Sequence, residues 1–264
     1  MTLTPVRRPA VAGSFYPAEP ARLRAQVERL LSDARRAPDA RPRALIVPHA
    51  GNIYSGAVAA QAYARLTNWR GSYRRVVLLG PPHRLPVRGL ASCSATAFAT
   101  PLGLVALDRA AVTRFESQPG VQAVDAAHAQ EHALEVQLPF LQVTLEDVAI
   151  VPLLVGEASP IEVADLLEPW WHEGDSLLLV STDLSHFLDY ATAARLDAAT
   201  DRTIGALDAS TIGPEQACGC RALNGLLALA ARHRARIERV ALCNSGDTAG
   251  DRARVVGYAS YVVH

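Results

Sequence analysis

The sequence predicts an α/β fold with a central, mostly parallel sheet and helices on both faces. Short apolar runs bounded by glycine, proline or asparagine recur along the chain, and stretches with helical spacing separate them. Histidine and aspartate residues follow several of the apolar runs directly. Because the carboxyl ends of parallel strands share one edge of a sheet, we expect these residues to meet in one crevice.

Periodicity assigns the individual elements. A helix is expected over Pro20–Ser32, followed by an Arg/Pro/Asp-rich surface loop over residues 33–43. Residues 90–98 and 102–107 are alternating runs that predict a hairpin beside the site. Further helices are expected over residues 56–66, 131–138, 191–207 and 216–231. Pro139 is expected to limit the continuation of the helix over residues 131–138. Core strands are expected over residues 44–48, 75–80, 150–155, 177–182, 240–243 and 255–263.

Composition narrows the function classes. No low-complexity stretch or charge run divides the 264 residues, so we expect a single domain over residues 1–264. The formal net charge is zero, which argues against nucleic-acid binding as the main activity. All 26 basic residues are arginine, and this excludes a Schiff-base lysine and a Walker A lysine.

The chain is expected to be cytoplasmic and not to bind membranes. Its first twenty residues lack the apolar core of a signal peptide, and no segment supplies the roughly 20 apolar residues of a membrane helix. The four cysteines are irregularly spaced and form no C-x-x-C pair, so we expect reduced thiols in the interior or near the site.

Three residues are the candidate metal ligands. His49, His83 and Asp247 each follow an apolar run within a Gly- or Pro-rich turn. Two histidines and a carboxylate that leave coordination positions open are typical of non-haem iron(II) sites. Fe(II) is therefore the expected ion, with copper or zinc as alternatives. Asp251 competes with Asp247, but it lies farther from the strand end.

A second group of residues predicts proton transfer. Asp183 and His186 are three positions apart after another apolar run, and a carboxylate that orients an imidazole makes it a general acid or base. Alternatively, Asp183 caps the following turn or helix. His132, four residues after His128, is expected to face the substrate or to support the ligands, while His128 is expected at the surface. His172, His233 and His264 have no such context and are expected to be solvated.

Beyond these single residues, the chain resembles the Memo family, which includes prokaryotic members called AmmeMemoRadiSam system protein B. The resemblance runs nearly end to end. The matching motifs are Ala12–Pro17, Pro48–Gly51, Leu79–His83, Thr100–Gly103, Glu131–Pro139, Ser181–His186, Ser245–Thr248 and Val256–Tyr258.

The resemblance implies a fold and a site. The family is similar to class III extradiol dioxygenases, so His49 and His83 match metal-binding histidines, and Asp183 and His186 match a further active-site pair. The third ligand of the family comes from the C-terminal loop and is a cysteine in animal relatives. Here that region offers Asp247, with Cys243 as a rival. Asn52 and Pro82 stand where many members have Tyr and Ser, and the resemblance implies that both positions line the pocket.

Three functions follow as hypotheses. The first is a metal-dependent redox or dioxygenase-like enzyme, and the second is a metal-dependent hydrolase or lyase that activates a bound water. The third is a non-catalytic module that binds a peptide or protein in the same pocket. The resemblance also implies a pathway link to a radical S-adenosylmethionine enzyme and to an AMMECR-type protein, and it leaves the substrate unnamed.

Overall fold

The computed structural model of the protein describes residues 6–35 and 40–264. Its strands are β1 (Val6–Arg7), β2 (Ala44–Val47), β3 (Arg75–Gly80), β4 (Leu90–Ser92), β5 (Ala97–Thr100), β6 (Gly103–Ala106), β7 (Val121–Ala123), β8 (Ala149–Val155), β9 (Ser176–Ser181), β10 (His186–Leu188), β11 (Ile237–Asn244) and β12 (Val255–Val263). Its α-helices are α1 (Pro20–Ser32), α2 (Asn52–Tyr63), α3 (Arg109–Glu116), α4 (Asp125–Ala129), α5 (Leu138–Thr144), α6 (Pro160–His172), α7 (Tyr190–Gly205) and α8 (Cys220–Arg232). Three 3₁₀ helices cover Ala64–Trp69, Glu135–Gln137 and Ser245–Asp247.

A nine-stranded sheet in the described residues confirms the predicted α/β class. Its order is β10-β12-β2-β9-β3-β8-β4-β7, and β11 pairs with β12. The four central strands β2, β9, β3 and β8 are parallel, while β10, β11 and β12 at one margin and β4 at the other form antiparallel pairs. The sheet is therefore parallel where the site lies and mixed at its margins.

Both faces of the central strands are buried under helices. Along β3, Val76 and Leu78 pack with side chains of α1, α2 and α5, whereas Val77 and Leu79 pack with those of α3, α6 and α8. Side chains alternate between the two faces of a strand, so a strand covered on both sides must be apolar at nearly every position. This explains why the central strands appear in the sequence as continuous apolar runs.

Most elements lie where the spacing predicts them, with a few differences. The helix Pro20–Ser32 and the strands Arg75–Gly80 and Val255–Val263 match, and β5 and β6 form the expected hairpin. β4 instead joins the main sheet. Part of the predicted loop 33–43 lies outside the described residues, which omit 36–39.

The largest difference concerns the predicted helix over residues 131–138. Residues 131–134 form a loop, and the helix starts at Leu138, with Pro139 in its first turn. A proline is tolerated in the first turn because the N–H that it lacks would have no partner within the helix. The prediction that Pro139 ends a helix is therefore wrong: Pro139 begins one.

No helix in the described part of the chain combines the length and the apolar character needed to cross a membrane.

Candidate metal centre

Three histidine side chains converge at the carboxyl edge of the sheet. His49 follows β2 after one proline, His83 follows β3 after two prolines, and His132 lies in the loop after α4. The ring centroid of His49 is 5.2 Å from that of His83 and 5.6 Å from that of His132, and the other two rings stack at 4.9 Å. One ring nitrogen from each histidine lies within 4.8 Å of the other two. Small ring rotations would let all three bind one ion at metal–nitrogen distances of about 2 Å.

The hydrogen bonds of Ser181 fix the tautomer of His49. The Ser181 hydroxyl donates to the carbonyl oxygen of Ala133 at 2.7 Å and accepts from the side-chain amide of Gln137 at 2.8 Å. Its single proton is thus used, so it can only accept from Nδ1 of His49, 2.8 Å away. Nδ1 therefore carries the proton, and Nε2 of His49 presents a lone pair.

The buried carboxylate of Glu131 fixes His83 in the same way. It accepts the backbone N–H of His83 at 2.5 Å and lies 2.9 Å from Nδ1 of that ring. Burial would raise the pKa of Glu131, but the hydrogen bond and charge of His83 and the N–H of Ala133 lower it to about 2. An ionised carboxylate can only accept, so Nδ1 of His83 is the donor and Nε2 is left for an ion.

His132 carries a buried nitrogen without a hydrogen bond. Its Nδ1 lies 3.4 Å from Oε1 of Glu131, but no hydrogen bond forms there. The edge of the Phe15 ring packs against the His132 ring at 4.9 Å. A buried polar atom without a partner costs free energy, and a metal ion among the three rings would provide one.

Burial keeps two of the three rings neutral. Desolvation, with the charge of His83, lowers the pKa of His49 to about 3. Desolvation, with the charge of His49, lowers the pKa of His132 to about 4. Neutral imidazole is the form that binds metals, so both rings are ready to act as ligands at neutral pH.

Asp183 lies against His49 and does not bond to His186. Its Oδ1 accepts the backbone N–H of His49 at 2.7 Å, and its Oδ2 is 4.0 Å from Nε2 of that ring. Burial raises the pKa of Asp183, against the lowering effects of the His49 N–H and the charge of His186. In the described residues no hydrogen bond joins Asp183 to His186, which is half-buried at the start of β10. Phe187, the next residue, has a φ of 60°, a strained value for a residue other than glycine.

The carboxylate expected as the third ligand lies elsewhere. Asp247 is exposed, and its Oδ1 accepts the hydroxyl of Tyr190 at 2.6 Å. The group that converges with His49 and His83 is the ring of His132. The rival carboxylate of Asp251 is also exposed and accepts the N–H of Ala253. The geometry thus brings together three histidines, and Asp247 is not among the converging side chains.

Cys218 and Cys243 differ in their positions relative to the three histidines. Cys243 lies within β11, paired with Tyr258 of β12, and it is not part of the converging group. Cys218 was not singled out from the sequence, but its Sγ is 3.4 Å from Nε2 of His49 and accepts the N–H of Asp183 at 3.3 Å. Burial, with the charge of Asp183, raises the pKa of Cys218 to about 12, so it is a neutral thiol. All four cysteines are free, as expected.

Gly219 allows Cys218 to approach the strand end. A Cβ atom at this position would lie 2.8 Å from Cβ of Thr182 and 2.9 Å from the carbonyl oxygen of Ser181. Only glycine lets the turn before α8 pack this closely against the end of β9. The turn follows no strand, so the rule that site residues follow strands could not have found Cys218; the glycine beside it was the available signal.

A cleft of about 960 Å³ opens beside His83, which forms part of its wall together with Cys218. The exposed residues Arg88 and Arg221 also line it. Its volume falls in the range of sites for small molecules, roughly 300–1,000 Å³. The cleft gives a ligand of that size access to the centre.

One buried side chain in the cleft wall has an unused acceptor. The amide nitrogen of Asn224 donates to the carbonyl oxygen of Ile212 at 2.8 Å, while its Oδ1 is buried without a partner. Because the donated hydrogen bond fixes the orientation of the amide, Oδ1 can accept from a bound molecule. A ligand with an N–H or O–H group would satisfy it.

The remaining histidines differ in part from expectation. The prediction that His128 lies at the surface is wrong: it is 2% exposed, and its Nε2 lies 3.0 Å from the carbonyl oxygen of Ala91. His172 is exposed as expected, but His233 is half-buried and both rings contact Glu168. His264 is also half-buried, and both of its ring nitrogens are buried.

Comparison with known proteins places the chain in a family. The profile of the Memo-like protein family matches residues 7–262. A MEMO1 family protein of Archaeoglobus fulgidus is 35% identical over 273 residues, which cover 97% of this chain and 99% of the relative. One of Methanopyrus kandleri is 34% identical and one of Aquifex aeolicus 32% identical, each with 97% of this chain and 98% of the relative covered.

A solved structure shows the same fold. The crystal structure of an uncharacterized protein from Escherichia coli K12 matches 85% of this chain and 100% of its own length, with a TM-score of 0.53 and 14% identity. At that identity the likeness concerns the fold alone. Since the family profile spans nearly the whole chain and several relatives exceed 30% identity end to end, the chain belongs to the Memo-like protein family.

Proposed function

We propose that the protein is a metal-dependent enzyme of the redox, dioxygenase-like type, with its ion held by His49, His83 and His132. The observation that carries this proposal is the convergence of three histidines, two of which have tautomers that leave Nε2 unprotonated. Imidazole donors suit iron, copper and zinc. Fe(II) remains the first choice because the motifs of the chain resemble those of non-haem iron dioxygenases.

The donor set fits an ion on structural grounds. The unpartnered Nδ1 of His132 is buried, and the two neighbouring rings are locked by Ser181 and Glu131. Hydrogen-bonded partners that orient metal-binding histidines are a regular feature of metal sites. When bound, the ion would supply Lewis acidity and, for iron or copper, one-electron chemistry.

The surrounding residues would bind the substrate and handle protons. The cleft brings a small molecule to His83 and Cys218, and Oδ1 of Asn224 would accept a hydrogen bond from it. Asp183 holds a proton more readily than an ordinary aspartate, so its Oδ2, 4.0 Å from His49, is a proton acceptor beside the centre. His186 is half-exposed near this carboxylate and would exchange the proton with solvent.

A zinc-dependent hydrolase or lyase is the second candidate, and one observation favours it. Three histidines without a carboxylate match the ligand set of zinc enzymes that activate water. The same cleft would then admit an ester or a related substrate.

Metal reconstitution tests both candidates. Protein stripped of metal is loaded anaerobically with Fe(II), Cu(II) or Zn(II), and bound metal is measured beside a His49→Ala/His83→Ala double variant. Each loaded form is then assayed for O₂ consumption with catechol and for hydrolysis of 4-nitrophenyl acetate. We expect one ion per chain at this centre in the parent, none there in the variant, and O₂ consumption with iron only.

Each alternative outcome has a distinct meaning. Hydrolysis with zinc and no O₂ consumption with iron would favour the second candidate. Bound metal without either reaction would favour a binding role for the pocket. Equal metal content in the parent and in the folded double variant would overturn the metal centre itself.

A further inference from the structure

We propose a second cation site, for zinc or a similar divalent ion, formed by Glu168, His172 and His233 where the C-terminal ends of α6 and α8 meet. The site does not depend on the proposed function. It shares no residue with the converging group His49, His83 and His132.

The three donors already have nearly the right spacing. Oε1 of Glu168 is 3.1 Å from Nε2 of His172 and 2.6 Å from Nε2 of His233, and the ligand atoms of all three lie within 4.8 Å of one another. Four-coordinate zinc, with bonds of about 2.0–2.2 Å, holds neighbouring ligand atoms about 3.3 Å apart. A small rotation of the Glu168 side chain would therefore admit the ion, and water would complete the coordination from the exposed side of His172.

The backbone around the site favours a cation. α6 ends at His172 and α8 ends at Arg232, so the negative ends of two helix dipoles meet there. Arg232 is the competing cation, but its Nη1 lies 2.7 Å from Asp165 and 3.4 Å from Oε2 of Glu168, which leaves Oε1 to the histidines. Two carboxylates and one guanidinium leave one net negative charge beside the two rings.

One of the two rings is held in place before any ion binds. His233 stacks on Trp171 with centroids 5.2 Å apart and planes at 18°, and Trp171 is 7% exposed. The backbone N–H of His233 also donates hydrogen bonds to the carbonyl oxygens of Leu229 and Ala231 at the end of α8. A ligand that is already ordered loses little entropy on binding, so this half of the site is preorganised.

An ion here would join two helices that already pack closely. A Cβ atom at Gly225 of α8 would lie 2.2 Å from a methyl carbon of Val163 on α6, so the two helices touch at this glycine. α8 also supplies Arg221 and Asn224 to the cleft. The ion would therefore stabilise the helix that carries part of the cleft wall.

Zinc binding to the His49→Ala/His83→Ala variant isolates this site, because the first centre is removed. Zn(II) is titrated at a pH above the ordinary pKa of histidine. The number of zinc ions bound per chain and the midpoint temperature of thermal unfolding are measured. We expect one zinc per chain and an increase of about 5 °C in the midpoint at a zinc concentration 100-fold above Kd. Adding His172→Ala or His233→Ala should weaken binding about tenfold or more and abolish the increase.

Two matched glutamine variants test whether Glu168 binds the zinc ion. Glu168→Gln should weaken zinc binding, whereas Glu28→Gln on the exposed face of α1 should leave it unchanged. If the double variant does not fold, His172→Ala in the otherwise native chain should reduce bound zinc by one ion per chain. Zinc binding that is unaffected by His172→Ala and His233→Ala, or no zinc binding by the folded protein, would overturn the proposal.

Discussion

Glu131 accepts two hydrogen bonds from His83, one from the backbone N–H at 2.5 Å and one from Nδ1 at 2.9 Å. Oε1 of the same carboxylate also accepts the N–H groups of His132 and Ala133. One buried carboxylate thus orients the side chain of His83 and positions the backbone of His132. The geometry of the centre therefore depends on a residue that is not itself one of the three converging ligands.

Replacing Glu131 with glutamine should weaken metal binding about 10- to 100-fold. A glutamine has one acceptor oxygen and a donor NH₂ group, so it cannot accept all four hydrogen bonds and would place N–H groups opposite N–H groups. The Nδ1 proton of His83 would lose its partner, and its shift to Nε2 would block the ligand atom. Competition with a chromophoric chelator measures the change.

A folded control is needed because Glu131 is buried. Glu28→Gln tests the same chemical change on an exposed helix face and should leave affinity for the metal unchanged. Circular dichroism of the Glu131→Gln protein checks its fold. Unchanged affinity in a folded Glu131→Gln protein would show that the carboxylate does not orient the ligands.

The third ligand can be identified by comparing two variants. Because His132 converges with the other two histidines and Asp247 does not, His132→Ala should abolish metal binding by this centre, while Asp247→Ala should retain it. Bound metal after gel filtration measures both, in a background with His172→Ala to remove the second site. Loss in the Asp247 variant with retention in the His132 variant would restore the expected set of two histidines and a carboxylate.

The sequence predicted part of the centre because strand ends are visible in it. β2 and β3 are central, fully buried strands, and the residues after them, His49 and His83, must leave the sheet at the shared edge. Their convergence follows from topology alone. The orientation of each ring depends on residues distant in sequence, such as Ser181, and therefore cannot be read from local pattern.

The structure does not bring Asp247 to the three histidines, and the reason is geometric. Asp247 follows β11, which in the described residues pairs with β12 alone and is separated from β2 by that strand. Neighbouring strands are about 4.8 Å apart, so the end of β11 is about 10 Å from that of β2 and about 19 Å from that of β3, which lies on the other side of β2. A run of apolar residues shows that a strand is present but not its place in the sheet. His132 differs from Asp247 in both respects: its loop follows no core strand, and its ring nevertheless lies beside those of His49 and His83.

Acid should destabilise the protein partly through His128. Burial lowers the pKa of His128 to about 4, below the ordinary value of 6.5. The unfolded chain then binds the proton more readily, so the free energy of unfolding falls as the pH drops from about 6.5 to about 4. The contribution is at most about 1.4 kcal/mol per pH unit for one group.

His128→Gln removes this titration and keeps a side-chain N–H that can donate to the carbonyl oxygen of Ala91. Urea unfolding of metal-free protein at several pH values should show a shallower fall for the variant between pH 6.5 and pH 4. At higher pH, where His128 is neutral in both states, the difference in the free energy of unfolding between the two proteins measures the effect of the substitution on packing. An identical slope for both proteins would mean that His128 is not held neutral in the folded state.

Gly219→Ala should destabilise the fold and displace Cys218. The new Cβ atom would meet Cβ of Thr182 at 2.8 Å and the carbonyl oxygen of Ser181 at 2.9 Å, and neither atom is the flexible end of a side chain. The turn must therefore move away from β9, at a cost of about 1–3 kcal/mol. Because this turn holds Sγ of Cys218 3.4 Å from His49, alkylation of that thiol by iodoacetamide should become faster.

Gly174→Ala is the matched control, since a Cβ atom there would meet nothing within 4 Å. Urea unfolding and the alkylation rate, followed by mass spectrometry, check both expectations. Equal stability and equal alkylation in the two variants would show that the turn has room for a side chain and that the position of Cys218 does not depend on the glycine.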